Sequence, residues 1–296
     1  MHAQTVSTEM PASRGIHKLM SKVFRVRPKT ATIIAATILL LIVLMAIFAP
    51  MIATHDPVEL SPANRLQGMS AEHLLGTDAY GRDLFSRVVY GAQVSLTVGL
   101  GVAFLCVLIG LPLGLLTGYF RTLDAILMRF MDGLMAIPGI LAAIAIVSLT
   151  SANLWTLMVA IMVPEIPQIV RLVRSQVLAT REEAFVEAAV LMGTPTRTIL
   201  WRHLMPNTFA PLIVQCTYIC AAAILTEATL SFLGVGLSSE TPTWGNIMSE
   251  GRIYFQLNPS MILWAGLLLS LCILSVNLLG DAARDALDPK MKRREG

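Results

Sequence analysis

Apolar residues gather in six stretches of the chain, roughly 31–52, 94–118, 133–151, 153–173, 209–236 and 261–280, separated by polar segments. A helix of about 20 apolar residues crosses a bilayer, and each stretch has close to that length or more. Lipid offers no partner to a bare peptide group, so such segments must close their hydrogen bonds inside a helix. The pattern predicts an all-α polytopic membrane protein with six transmembrane helices. The first stretch contains Ile38-Leu39-Leu40-Leu41-Ile42-Val43-Leu44. Its apolar core exceeds that of a cleaved signal peptide, and it reads as a retained anchor. The layout is then a tail over 1–30, a membrane domain over 31–280 and a tail over 281–296. Segments 53–93 and 237–260 fall on one side of the membrane and 180–206 on the other.

Composition sharpens this class. Of 296 residues, 22 are basic and 19 acidic, so 14% are charged against 55% hydrophobic, with a mean hydropathy of +0.69. Soluble domains are about a quarter charged. An ordinary soluble enzyme, a disordered chain, collagen and a coiled coil are therefore excluded. A net charge of +3 is too small to point to nucleic acid. The placement of the charges is more telling. The N-terminal tail carries Arg14, Lys18, Lys22, Arg25, Arg27 and Lys29 against Glu9. With 119–132, 171–207 and the C-terminal tail, that side holds 18 basic and 10 acidic residues, while 53–93 and 237–260 hold 4 and 7. The positive-inside tendency makes the first set cytoplasmic. Both termini then lie inside, and the number of spans must be even. The turn at Ser151-Ala152-Asn153 is the tightest boundary. Cys106, Cys216, Cys220 and Cys272 all lie in apolar runs and read as small hydrophobic fillers.

The first outer segment contains Asp56-Pro57, Ser61-Pro62 and His73-Leu74-Leu75-Gly76-Thr77-Asp78-Ala79-Tyr80-Gly81-Arg82-Asp83, rich in turn formers and suited to a compact folded loop. In the second, Trp244, Tyr254 and Phe255, with Trp264 beyond it, suit a membrane interface. Gly110, Gly114 and Gly118 recur every four residues and predict a smooth helix face for close packing, with a gating role as the alternative. Pro112, Pro164 and Pro167 predict bends. Glu165 and Glu227 interrupt apolar spans, and intramembrane carboxylates face a bundle interior or water. Both are candidate cavity or pathway groups. For Glu227 a hydrogen-bonded structural role stands beside that reading, and Glu165 is expected to tie to backbone groups freed by the two prolines.

The most informative segment is 180–206. Thr180 and Glu183 have capping-box spacing and predict a helix start. Ala184, Ala188, Ala189 and Met192 form a narrow face of mostly small side chains, and Gly193 is a natural stop. Thr194-Pro195 predicts a second helix start, ending before Pro206. Enzyme signatures are missing: no glycine precedes a lysine, and there is no paired-histidine zinc motif or Gly-x-Ser-x-Gly elbow. No histidine lies in a span, and no internal repeat is visible, which weighs against a proton relay and an inverted-repeat transporter.

This hairpin resembles the hallmark loop of bacterial ABC importer permeases: Glu-Ala-Ala, three residues, Gly, nine residues, then Ile-x-Leu-Pro. Glu187, Ala188, Ala189, Gly193 and Pro206 match it, whereas His203 and Met205 replace the Ile and Leu. His203-Leu204-Met205-Pro206-Asn207 is similar to the dipeptide/oligopeptide/nickel branch. The outer motif with Gly76, Thr77, Asp78, Gly81, Arg82 and Asp83 resembles the same branch's C-type permease. So do Ser231 to Gly236 with Trp244-Gly245, and Gly280 to Pro289. The resemblance implies a type I importer permease fold and a non-catalytic transport subunit, most readily for di- and oligopeptides, in a bacterial inner membrane. It implies a second homologous permease, two ABC ATPase subunits that hold the ATP and Mg, and an extracytoplasmic substrate-binding protein. No cofactor or metal is expected in this subunit. The Glu187–Gly193 helix is expected to couple to an ATPase: Glu187 anchoring the hairpin through polar contacts, Ala188 and Ala189 permitting close docking, Gly193 permitting the turn. The competing reading, an ion- or proton-coupled secondary transporter, rests on Glu165 and Glu227 alone.

Overall fold

The computed structural model describes residues 30–150 and 153–287. The basic N-terminal tail, Ser151-Ala152 and the chain from Asp288 onward lie outside the described residues. Helices follow in the order α1 Thr30–Ile47, α2 Ala49–Ile52, α3 Leu84–Tyr119, α4 Arg121–Met135, α5 Gly139–Leu149 and α6 Leu154–Thr180. They continue with α7 Ala184–Leu191, α8 Thr196–Phe232, α9 Trp244–Ile253 and α10 Ser260–Leu287. There is no strand among the described residues, only an isolated bridge between Thr77 and Asp83. Five helices, α1, α3, α6, α8 and α10, are long and apolar enough to span a bilayer.

The stretch 133–151 is not a straight span. It breaks at Ala136–Pro138, where α4 and α5 meet at 87°. Pro138 disfavours helical backbone at Ile137 and has no N–H of its own to donate. Hydropathy does not register that break. The 11 residues of α5 reach about 16 Å at 1.5 Å per residue, too short to cross alone, so a sixth span exists only as the bent pair. α4 is held to α6 from the side by the Arg174–Asp124 and Arg171–Asp132 ion pairs.

The core is the α3–α6 pair, with α8 packed across it. The glycine stripe creates the contact. A Cβ at Gly110, Gly114 or Gly118 would sit 2.5, 2.6 and 2.5 Å from Ile169, Val173 and Val177, themselves four residues apart on α6. The stripe is packing. Gly114→Leu is expected to overpack this seam and destabilise the subunit by about 1–3 kcal/mol or more. A detergent melting curve checks it, and adding Val173→Ala should recover part of the loss. Pro164 and Pro167 sit inside α6 without ending it, and Pro112 inside α3.

α1 and α10 pack on the outside of the bundle and bury 17% and 28% of their most apolar windows, so most of their surface is left for lipid or another subunit. The α3 helix starts at Leu84, well before the apolar boundary at 94, because Asp83 caps it.

Candidate functional site

Three features lie along the length of α3, whose 36 residues extend about 54 Å. At the Leu84 end sits the unit built from 53–93 and 237–260, expected to lie outside and so termed the outer unit. The turn at 76–83 is built from backbone geometry. Gly81 has φ +78°, and a Cβ there would collide with the Ser61 carbonyl, so no other residue fits without rearrangement. Asp78 Oδ1 accepts from the N–H groups of Tyr80 (2.8 Å) and Arg82 (3.0 Å), which closes the loop. Thr77 Oγ1 accepts from Gln67 N at 2.8 Å, and Gly76 donates to the His73 carbonyl at 3.0 Å.

Arg82 then leaves the turn and joins the second outer segment. Its guanidinium donates to Asp78 Oδ2 (2.5 Å), Glu250 Oε2 (2.7 Å) and the Ser239 carbonyl (3.1 Å). Arg87, wholly buried, lies 3.4 Å from both Asp78 and Glu250. Two guanidiniums and two carboxylates thus lock the two outer segments into one body. Trp244 belongs to the same body rather than to a membrane interface. It is fully buried and donates Nε1–H to the Val88 carbonyl at 3.0 Å.

Asp83 Oδ2 accepts from Ser86 N (2.8 Å), Ser86 Oγ (2.7 Å) and Thr54 Oγ1 (3.2 Å), while Oδ1 faces His73 Nδ1 at 2.9 Å. Burial pushes the Asp83 carboxyl up, but the hydrogen bonds from Ser86, His73 and Thr54 outweigh it and leave the group below its ordinary range. A carboxylate with a depressed folded pKa stabilises fully above its unfolded value, and that stability is lost as pH falls through the folded value. Asp83→Asn is therefore expected to lower the melting temperature at neutral pH. The gap to the parent protein should close progressively below about pH 4 in a pH series of melts.

At the Tyr119 end sits the hairpin. α6 runs unbroken through Thr180, so the Thr180–Glu183 capping box does not form, and Glu183 is the uncapped N-cap of α7. The stop is as expected: Gly193 has φ +74°, its N–H donates to the Val190 carbonyl (3.0 Å) and Thr194 N–H to the Ala189 carbonyl (3.0 Å). Pro195 is the N-cap of the next helix rather than its first residue. Pro206 does not end that helix. Residues Ile199–Leu204 widen into a π-helical turn that leads directly into Pro206, and α8 continues to Phe232. The wider turn accommodates a proline that has no N–H to give.

Val186 and Ala189 are the buried side of α7, and Phe185 lies 6.3 Å from the His203 ring on the π turn. The other side faces solvent: Ala184, Glu187 and Ala188, with Leu191 87% and Met192 79% exposed. Glu187 does not anchor the hairpin. Its side chain makes no hydrogen bond or ion pair among the described residues and stands free on the surface. Ala189 packs inward, so Ala188 alone of the pair is offered to a partner.

Between these ends lie the intramembrane acids, in different settings. Glu227 is wholly buried where α8 meets α3, accepting from Ser231 Oγ (2.8 Å) and Ser95 Oγ (3.3 Å). It occupies packed interior among the described residues. Glu165, partly exposed, lies beside the level of Gly110 and accepts from Gln168 Nε2 at 2.7 Å, not from freed backbone. Gln168 Oε1 in turn accepts from Gln215 Nε2 at 3.0 Å. The three form a polar ladder from α6 to α8. Sequence reasoning missed Gln168, Gln215, Arg87 and Glu250. An arginine one turn after Asp83, at the head of an apolar helix, was the available signal.

Residues 110–293 match the family described as binding-protein-dependent transport system inner membrane component. The chain belongs to this family. Residues 24–68 also match the N-terminal transmembrane domain of oligopeptide transport permease C. A probable peptide ABC transporter permease protein of Sinorhizobium fredii is 48% identical over 251 residues, covering 85% of this chain and 86% of that one. The dipeptide transport system permease protein of Alkalihalophilus pseudofirmus is 43% identical over 261 residues, 88% and 86% of the two chains. The glutathione transport system permease protein of Escherichia coli is 39% identical over 270 residues, 90% and 89%. Among solved structures, the MetNI methionine ABC transporter in inward-facing conformations gives a TM-score of 0.54 at 21% identity, over 68% of this chain and 96% of that one. That likeness establishes the type I permease fold. The chain is thus an ABC importer permease, a multi-pass membrane protein whose relatives are transport subunits rather than enzymes.

Proposed function

We propose that this permease forms half of the pathway of an ATP-driven importer of di- and oligopeptides. A second homologous permease supplies the other half, two ABC ATPases drive the pair, and a substrate-binding protein delivers the ligand. One observation carries the coupling role: α7 lies beyond the apolar part of α6 and, together with its C-cap residue, turns Phe185, Val190, Leu191 and Met192 to solvent. A small helix with this much exposed apolar surface at the end of a bundle is an interaction site. The relatives named for peptide, dipeptide and glutathione transport support the substrate class.

ATP and Mg stay with the ATPases, which would move α7 as they close. The α7 end is then cytoplasmic, as are both termini, and the Arg82–Glu250 unit faces the binding protein. The Glu165–Gln168–Gln215 ladder marks the pathway side, because polar side chains at mid-span depth do not face hydrocarbon. Glu227 holds α8 to α3 through hydroxyls and is a structural group in this reading. Reconstitution with the cognate partners tests the proposal. Uptake of a labelled di- or tripeptide should require ATP hydrolysis and survive a protonophore. Uptake that ignores ATP, or that takes a nickel chelate or an opine in preference to any peptide, would contradict it.

A further inference from the structure

The outer unit contains a second group of residues that the transport reading leaves unused. His55, His73 and Asp83 cluster, with one ring nitrogen or carboxylate oxygen of each within 4.8 Å of the others. The two imidazole rings lie 4.9 Å apart. They line a pocket of about 170 Å³ together with Asp56, Glu59 and Glu72. This concentrates two imidazoles and four carboxylates in one small space.

The tautomer of His73 makes the case. Asp83 Oδ1 is an acceptor 2.9 Å from His73 Nδ1, so Nδ1 carries the hydrogen. In the neutral imidazole Nε2 is then a bare lone pair. His73 is 5% exposed, and its Nε2 is buried with no hydrogen-bond partner among the described residues. A carboxylate that fixes one imidazole nitrogen and leaves the other free is the arrangement that orients histidine toward a metal ion. Asp83 Oδ2 is meanwhile committed to Ser86 and Thr54, which keeps the carboxylate in place.

We propose that this pocket binds one divalent transition metal ion of the zinc class, with the imidazoles of His55 and His73 as nitrogen ligands. Asp83 orients His73, and carboxylates from Asp56, Glu59 and Glu72 complete the shell. Mixed nitrogen and oxygen donors suit zinc, nickel or cobalt, whereas magnesium and calcium prefer oxygen alone. Bound metal would pin the chain after α2, through His55, to the turn that starts α3. It would stiffen the outer unit without touching the pathway. The inference does not depend on the peptide reading.

The test uses the assembled transporter, purified without a polyhistidine tag and stripped with a chelator. His55→Ala is the informative variant, because the His55 side chain is 34% exposed and its loss should spare the fold. Titration with zinc should show one tight equivalent per copy of this subunit, weakened at least tenfold in His55→Ala and in His73→Gln. Cobalt should give visible bands without thiolate charge transfer, since the four cysteines lie in the spanning helices. Absence of a stoichiometric equivalent would overturn the site. So would equal affinity in the parent and His55→Ala, which would indicate an adventitious ion.

Discussion

Leu191→Glu is expected to abolish ATP-driven uptake while leaving the subunit folded and inserted. Leu191 is 87% exposed, so the change removes almost no internal contact. Substitutions at such positions shift stability by about 0.5 kcal/mol or less. In the assembled importer the same side chain would enter an ATPase surface. A carboxylate desolvated there without a partner costs several kcal/mol. A loss of about 2 kcal/mol at a central interface residue already means about a thirtyfold loss of binding. Transport should fall to a few per cent of the parent, with unchanged melting of the isolated subunit. Leu191→Met keeps the apolar surface and should remain active. Gly193→Leu should act at the same place by another route. Nothing stands within 4 Å of a Cβ at Gly193, so the cost lies in the left-handed backbone, not in a clash.

The second large effect belongs to the buried charge cluster. Glu250→Ala leaves Arg82 and Arg87 sharing one carboxylate, Asp78, beside the Ser239 carbonyl, with Arg87 wholly buried and Arg82 3% exposed. Removing one partner from a buried ionic group costs about 3–5 kcal/mol, because the remaining charge is left uncompensated. The outer unit should loosen where Glu250 ties its two segments together, beside the Ser239 and Trp244 contacts that remain. Melting in detergent should drop sharply, and hydrogen exchange should rise across 76–87 and 239–258. Glu250→Gln keeps an acceptor and should lose less. A Glu250→Ala protein with parental melting would show that the cluster contributes nothing.

Spacing made some of this legible in the sequence. A glycine every fourth residue is a helix-face signal, and Ile169, Val173 and Val177 repeat at the same interval to meet it. Gly193 and Gly81 were legible because a left-handed turn has few residue choices. The failures have one physical character: they depend on what lies next to a residue in space. Hydropathy averages over Pro138 and so missed the 87° bend. Thr180 has the right spacing for a cap, but the helix before it does not stop. Pro206 reads as a terminator until a π turn precedes it. Arg87 and Glu250 are 163 residues apart, and no local pattern joins them. Glu227 found its hydroxyls on α3 and on its own helix, and Glu165 found Gln168 and, through it, Gln215. Trp244 carries an interfacial residue type into a core because Gly91 and Val88 make room and an acceptor for its indole.

The most direct measurement of the coupling role is a site-specific photocrosslink in the assembled transporter, from Met192 at the C-cap of α7 and, as the control, from Tyr80 in the outer turn. Met192 is 79% exposed and Tyr80 51%, so either position accepts a probe. Adducts to an ATPase subunit are expected from Met192 and none from Tyr80. Failure to capture an ATPase from Met192 in an active complex, or capture from Tyr80 instead, would contradict the coupling role.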